Sequence, residues 1–261
     1  MARGRNKSHG ASRSRRPRSG GSGLCIGGPH GVEAALASSM PVHRVYVEDG
    51  AGRRVLELAE QARGRSIPVS KMGEGECDRM ADVRCQGVAA DISYRYAEFD
   101  DLVERPGLLL FLDEIADPHN LGALVRTAEA AGAAGVVLPG RRAAGVTATV
   151  VRASAGAAVQ LPVARTGNLV QALRAAQDAG RWTIGLDGEA DRVLEPAEET
   201  DRAVLVVGSE GSGLRRLVAE SCDEVARLPM VGSVESLNAS VAGALAIYRT
   251  LEKRLYGVRD S

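Results

Sequence analysis

Hydrophobic positions along the chain follow two plans. Between residues 24 and about 97 they come in short groups. The pattern predicts a helix over 32–38, a strand over 43–47, a helix over 53–62, a strand over 67–70, a polar helix near 74–81 and a strand over 88–92. An acidic, tyrosine-bearing stretch then leads to Pro106, and residues 98–106 read as a linker. From Gly107 the alternation lengthens. Leu108-Leu109-Leu110-Phe111-Leu112 is an unbroken apolar run, as in a strand buried on both faces. Further helices are predicted over 121–131, near 148–158, and over 169–179, 214–221 and about 237–255. Strands are predicted over 136–138, 162–164, 182–186, 203–207 and 225–228. Such alternation implies an α/β fold with a parallel sheet covered on both sides, preceded by a smaller α/β unit.

Composition changes this picture mainly at the start of the chain. Residues 1–23 carry Arg3, Arg5, Lys7, Arg13, Arg15, Arg16 and Arg18 with no acid, among glycines and serines. Such a tail cannot build a core and reads as a basic disordered arm that meets nucleic acid through phosphate charge. Over the whole chain the balance is ordinary: 44% hydrophobic, 25% charged, with 33 basic and 33 acidic residues. Aromatics make up only 3%, too few for a sheet that stacks bases. No apolar run approaches the roughly 20 residues of a membrane helix. No apolar segment follows the charged N-terminus as in a signal peptide, so a cytoplasmic protein with no membrane partner is expected. Cys25, Cys77, Cys85 and Cys222 form no C-x-x-C pair and no zinc spacing; free thiols and no metal are expected.

Three predicted strand ends carry unusual loops, where open α/β sheets bind ligands. The first runs Asp113-Glu114-Ile115-Ala116-Asp117-Pro118-His119-Asn120 into a helix bearing Arg126. An arginine near a helix start can hold phosphate or a developing oxyanion; taken singly it is also an ordinary solvated side chain. The second is Gly208-Ser209-Glu210-Gly211-Ser212-Gly213. Its glycine order is neither the dinucleotide fingerprint nor a phosphate loop, and alone it reads equally as a tight turn. The third runs from Leu228-Pro229-Met230 to Ser236-Leu237-Asn238-Ala239-Ser240, where Ser236 or Asn238 can cap the last helix.

Together, Asn120 with Arg126, Gly208-x-Glu210-Gly211, and Pro229-Met230 followed by Ser236-Leu237-Asn238-x-Ser240 resemble the three motifs of the SpoU/TrmH family of SPOUT methyltransferases. The likeness keeps order and spacing from Leu108 to about Tyr248. Asp117 to Ala123, Gly188-Glu189-Ala190-Asp191 and Cys222-Asp223-Glu224 are most similar to the subgroup that methylates guanosine 2′-oxygens in bacterial 23S ribosomal RNA. Residues 27–36 and Gln86-Gly87-Val88 resemble that subgroup's substrate-binding domain.

The resemblance implies an S-adenosylmethionine-dependent RNA 2′-O-ribose methyltransferase. It implies a SPOUT domain over 107–261 with a trefoil knot, an RNA-binding domain over 24–97, and a homodimer packed through knot helices. It places Gly208, Leu228 and Leu237 around the cofactor, largely through backbone groups, with Gly188 and Met230 nearby. It assigns Arg126 to the 2′-hydroxyl. A guanidinium is a poor proton acceptor, so stabilisation of the forming alkoxide is the physically preferred role. Asn120, Glu210, Ser236 and Asn238 would position Arg126, the ribose or the cofactor loop, with Glu210 as general base the alternative. No metal is required. The competing readings are the same reaction on transfer RNA or at an antibiotic-resistance site of ribosomal RNA, a non-catalytic ribosome-assembly factor, and a dinucleotide-dependent oxidoreductase.

Overall fold

A computed structural model describes residues 22–234 and 236–257. The basic arm read over 1–23 falls almost wholly outside them. The first unit is a four-stranded sheet in the order β1-β4-β2-β3, made of β1 (Ser22–Gly27), β2 (Val42–Glu48), β3 (Val69–Met72) and β4 (Val88–Tyr94). Strand β1 was not anticipated; it runs antiparallel to β4. Alternate residues of β4 serve opposite faces, as the pleat requires. Val88, Ala90 and Ile92 meet a core shared with helices α1 (Pro29–Ala37) and α2 (Arg53–Gly64). Ala89 meets Cys77 and Cys85 beneath α3 (Glu76–Ala81).

The second unit is a seven-stranded, wholly parallel sheet in the order β7-β6-β5-β10-β8-β11-β9. Its strands are β5 (Leu109–Leu112), β6 (Gly135–Pro139), β7 (Val163–Thr166), β8 (Trp182–Leu186), β9 (Arg192–Val193), β10 (Ala203–Val207) and β11 (Glu224–Arg227). The apolar run of β5 is explained by cover on both faces. Leu110 and Leu112 join the core beneath helices α5 (Pro118–Ala130), α6 (Ala148–Ala153) and α7 (Ala157–Gln160). Leu109 and Phe111 join the core under α8 (Leu169–Asp178). The short helix α9 (Arg216–Ala219), then α10 (Ala239–Thr250) and α11 (Glu252–Tyr256), complete the chain.

Several elements differ from expectation for identifiable reasons. Residues 98–106 are not a plain linker: α4 (Phe99–Val103) forms there because Phe99, Leu102 and Val103 share one helix face. Leu102 is buried against Gly135, and the Phe99 ring meets Phe111 edge-on at 6.2 Å. The helix read near 148–158 is broken at Ala155 and Gly156, both at positive φ, where α1 of the first unit presses in. A Cβ on Gly156 would lie 2.7 Å from the His30 carbonyl oxygen. This close approach continues one core across both units. The last predicted helix starts at Ala239, not 237, and breaks after Thr250.

A buried arginine fastens the connection between the units. Arg181 is 2% exposed and donates to the carbonyls of Val103 (2.7 Å), Gly107 (2.9 Å), Ala203 (3.5 Å) and Arg105. Burial, then the charge of Arg202, lowers its pKa from the ordinary guanidinium value. Arg181→Met should cost about 3 kcal/mol in urea unfolding, because the carbonyls around α4 lose their donor in a dry setting. The four cysteines are free thiols, and burial pushes each up to about 12, assisted by Asp91 at Cys25, Glu48 at Cys77, Asp78 at Cys85 and Asp223 at Cys222. At pH 8 they should alkylate roughly a hundredfold more slowly in the folded chain than in urea, since the thiolate is the reactive form. Mass spectrometry of iodoacetamide adducts checks this.

Candidate active site

The parallel sheet fixes where the three unusual loops can meet. Leu112 pairs in register with Val207, Val207 with Leu186, and Leu186 with Ala226. Strands β5, β10, β8 and β11 therefore end level, and the segments that follow them emerge along one edge. The chain runs from β5 outward through β6 and β7, then crosses to β8, leaving beside β5 a slot that β10 fills. That reversal of strand order is where such sheets form a crevice.

Three side chains from three loops are joined there. Asn120, on the first turn of α5, is 8% exposed; its Nδ2 donates to Glu210 Oε2 at 3.2 Å. Asn238 Nδ2 donates to Asn120 Oδ1 at 3.1 Å and to Glu210 Oε1 at 3.4 Å. Asn238 rather than Ser236 caps α10. Its Oδ1 accepts from the Ser240 amide (2.9 Å), the Ser240 hydroxyl (2.6 Å) and the Val241 amide (3.4 Å). With the oxygen so engaged, the Asn238 amide nitrogen can only point outward, toward the other two loops.

The glycine turn is shaped by close approach. Ser209 and Gly213 exchange two backbone hydrogen bonds of 3.1 and 3.0 Å, pinching the loop shut. Gly208 is buried, and a Cβ there would stand 2.2 Å from the carbonyl of Gly213. Only glycine fits that position.

A second link holds the same edge and was not foreseen. Asp113, fully buried at the end of β5, accepts from the Arg215 amide (2.9 Å) and from Arg215 Nε (2.8 Å), with Nη2 at 2.6 Å. The hydrogen bond to Asp113 raises the Arg215 pKa, while burial acts against it. Arg215 also approaches Glu114 at 3.5 Å, and so does Arg142. The partners lie 102 residues apart, and no local pattern links them. The signal in sequence was an acidic pair at the end of a buried strand.

The other candidates are placed as follows. Arg126 is exposed on α5, with no side-chain partner among the described residues. Six positions beyond Asn120, it stands about 9 Å along the helix and about 120° around it, outside the Asn120–Glu210–Asn238 cluster. Ser236 is exposed; Leu237 and Leu228 are half-buried; Met230 is 36% exposed. Gly188 is exposed in the turn after β8, which is fixed by a 3.0 Å bond from the Asp187 amide to the Ala226 carbonyl. Asp187, Glu189 and Asp191 line an acidic recess of about 380 Å³ there, with Ala190, Arg192 and Val225. Among the described residues, no group of three or more His, Cys, Asp or Glu is placed to hold a metal ion, and no helix is long and apolar enough to cross a membrane.

Known proteins resemble this chain in sequence and fold. Residues 107–248 match the SpoU rRNA methylase family, and residues 25–97 match the RNA 2′-O ribose methyltransferase substrate-binding family. A Bacillus subtilis protein described as a TrmH family tRNA/rRNA methyltransferase is 40% identical over 239 residues, covering 87% of this chain and 94% of the relative. The SpoU methyltransferase AviRb of Streptomyces viridochromogenes, solved in complex with AdoMet, superposes with a TM-score of 0.77 at 25% identity, over 90% of this chain and 92% of that one. An AdoMet-bound rRNA methyltransferase from Sinorhizobium meliloti gives 0.75 at 25% identity, over 89% and 88%. With three separated loops joined at one sheet edge and family matches over both units, this chain belongs to the SpoU rRNA methylase family of RNA methyltransferases.

Proposed function

We propose that the protein transfers a methyl group from S-adenosylmethionine to a ribose 2′-oxygen of 23S ribosomal RNA, at a guanosine, and works as a cytoplasmic homodimer. The observation that carries this reading is the bonding of Asn120, Glu210 and Asn238 across three loops at the ligand-binding edge. When bound, S-adenosylmethionine supplies an activated methyl on a positively charged sulfur. The residues present fit such a donor. The loops around Gly208 and Gly188 carry Glu210, Asp187, Glu189 and Asp191, which suit a cation and repel the phosphates of a dinucleotide. Leu228, Met230 and Leu237 offer partly exposed apolar surface for the nucleoside.

Arg126 is the group for the ribose. A guanidinium stays charged near neutral pH, so it stabilises negative charge on the 2′-oxygen and does not take its proton. Glu210 is committed to two amide donors and serves to hold the loops together. The SPOUT knot would close where α10 returns over α5 and β10. A Cβ on Gly243 would lie 2.3 Å from Leu124 Cδ2, so α10 crosses very close. The outer face of α10 supports the dimer: Val241, Leu245 and Tyr248, at helical spacing, are 47%, 52% and 38% exposed.

The test is transfer of labelled methyl from S-adenosylmethionine to purified ribosomal RNA, followed by nucleotide-resolution mapping. A guanosine 2′-O-methyl in 23S RNA supports the proposal; transfer only to transfer RNA would redirect it. Arg126→Ala should lower transfer at least about a hundredfold, while calorimetry finds S-adenosylmethionine affinity within twofold of the parent chain. Leu245→Glu should convert a dimer to monomer in sedimentation at micromolar concentration, because it places a charge in an apolar interface.

A further inference from the structure

Strand β6 ends at Pro139, and residues 140–147 then cross the same edge of the sheet, bearing Arg141 and Arg142. The base of this loop is pinned at three points. Arg165 Nη2 donates to the Gly140 carbonyl at 2.8 Å, the Ala144 amide donates to the Ile115 carbonyl at 2.8 Å, and the Val146 amide donates to the Tyr96 hydroxyl at 2.9 Å. The Arg165 guanidinium also lies over the Tyr96 ring, 5.3 Å from its centroid. Tyr96 belongs to the connection from the first unit, and Ile115 to the loop that leads to Asn120. The loop is thus fastened to both.

Its two guanidinium groups are nearly uncommitted. Arg141 is exposed and has no side-chain partner among the described residues. Arg142 is held in the left-handed region at φ 58, and its side chain is 79% exposed. Its one ion pair is a long one, 3.5 Å to Glu114 Oε1. Glu114 is itself left-handed, at φ 57, and that same Oε1 is buried without a hydrogen-bond partner among the described residues. That oxygen is shared, since Arg215 also stands 3.5 Å from it, so Glu114 holds Arg142 only weakly; two facing residues in a sparsely populated conformation across such a pair point to a contact that is completed by something else.

We propose that Arg141 and Arg142 form a phosphodiester-binding grip that lays the RNA strand across the catalytic edge, with Glu114 holding Arg142 until a phosphate displaces it. This rests on the reading of the chain as an RNA methyltransferase. Planar guanidinium forks match phosphate oxygens. A chain with 3% aromatic residues has few rings on which to stack bases, so backbone charge must carry much of its RNA affinity.

The test is equilibrium binding of a labelled ribosomal RNA fragment, by fluorescence anisotropy, across a salt series. Arg141→Gln with Arg142→Gln should weaken binding roughly tenfold and reduce the slope of log affinity against log salt by about 1.4, or about 0.7 for each lost contact on a single strand. Arg141→Ala, which removes no intramolecular contact, should give about half of that slope change. Glu114→Gln should tighten binding about threefold by releasing Arg142. S-adenosylmethionine affinity should be unaltered in the arginine variants. Unchanged RNA affinity and slope in the double variant would overturn the proposal, even where the parent chain methylates RNA. A parent chain that binds RNA through these arginines but transfers no methyl would defeat the proposed activity and leave the grip standing.

Discussion

The carboxylate of Glu210 is the point on which the arrangement turns. It sits in a pinched glycine turn after β10 and accepts amide protons from Asn120, at the start of α5, and from Asn238, at the start of α10. Hydrogen bonds to a charged group are stronger than neutral ones, although solvent at the exposed Glu210 moderates the gain. Two such bonds across loops brought together by strand order fix the openings of two helices relative to one turn. The sheet makes this possible by inserting β10 beside β5, far from its sequence neighbour β9. Asp113 and Arg215 repeat the logic one layer deeper, tying the end of β5 to the segment that follows the turn.

Charge separates the two sides of this edge. The turn around Gly188 is acidic and the Gly208 turn carries Glu210, whereas Arg126, Arg141 and Arg142 are exposed cations; Asp113, Glu114 and Arg215 between them are engaged with one another. A sulfonium donor and an anionic RNA strand call for opposite environments a short distance apart. The acidic turns lie after β8 and β10, and the arginines follow β5 and β6, so strand order keeps them apart without a barrier. Glu114 stands at the boundary, 3.5 Å from an arginine on either side.

Much of the larger unit was legible because a parallel strand covered on both faces must be apolar at every position, as in Leu109–Leu112 and Ala203–Val207. The three loops were legible through family resemblance, since a glycine turn or a capping asparagine says little alone. What was missed depends on distant partners. Strand β9 is two exposed residues recruited by β11. The break at Ala155–Gly156 exists because α1, more than a hundred residues earlier, needs room against Gly156. Arg181, just before Trp182, has no local signal of burial in the sequence; it is buried because the carbonyls around α4 converge on it. Helix α4 has the right spacing, but its acidic neighbours disguised it as a linker.

The bonding within the cluster also limits what its members can do. Asn120 spends its amide nitrogen on Glu210 and its oxygen on Asn238. Asn238 spends its oxygen on three donors of its own helix and its nitrogen on the other two residues. Moving any of these groups toward a reacting ribose would unpair polar atoms that are already satisfied, a cost as large as the bond gained. In the proposed reaction the cluster is therefore scaffolding. Chemistry at the 2′-oxygen would fall to a side chain with capacity to spare, and on the helix that the cluster fixes, Arg126 is the proposed one. Its exposure suits that proposal, because the charge it would meet arrives with the RNA.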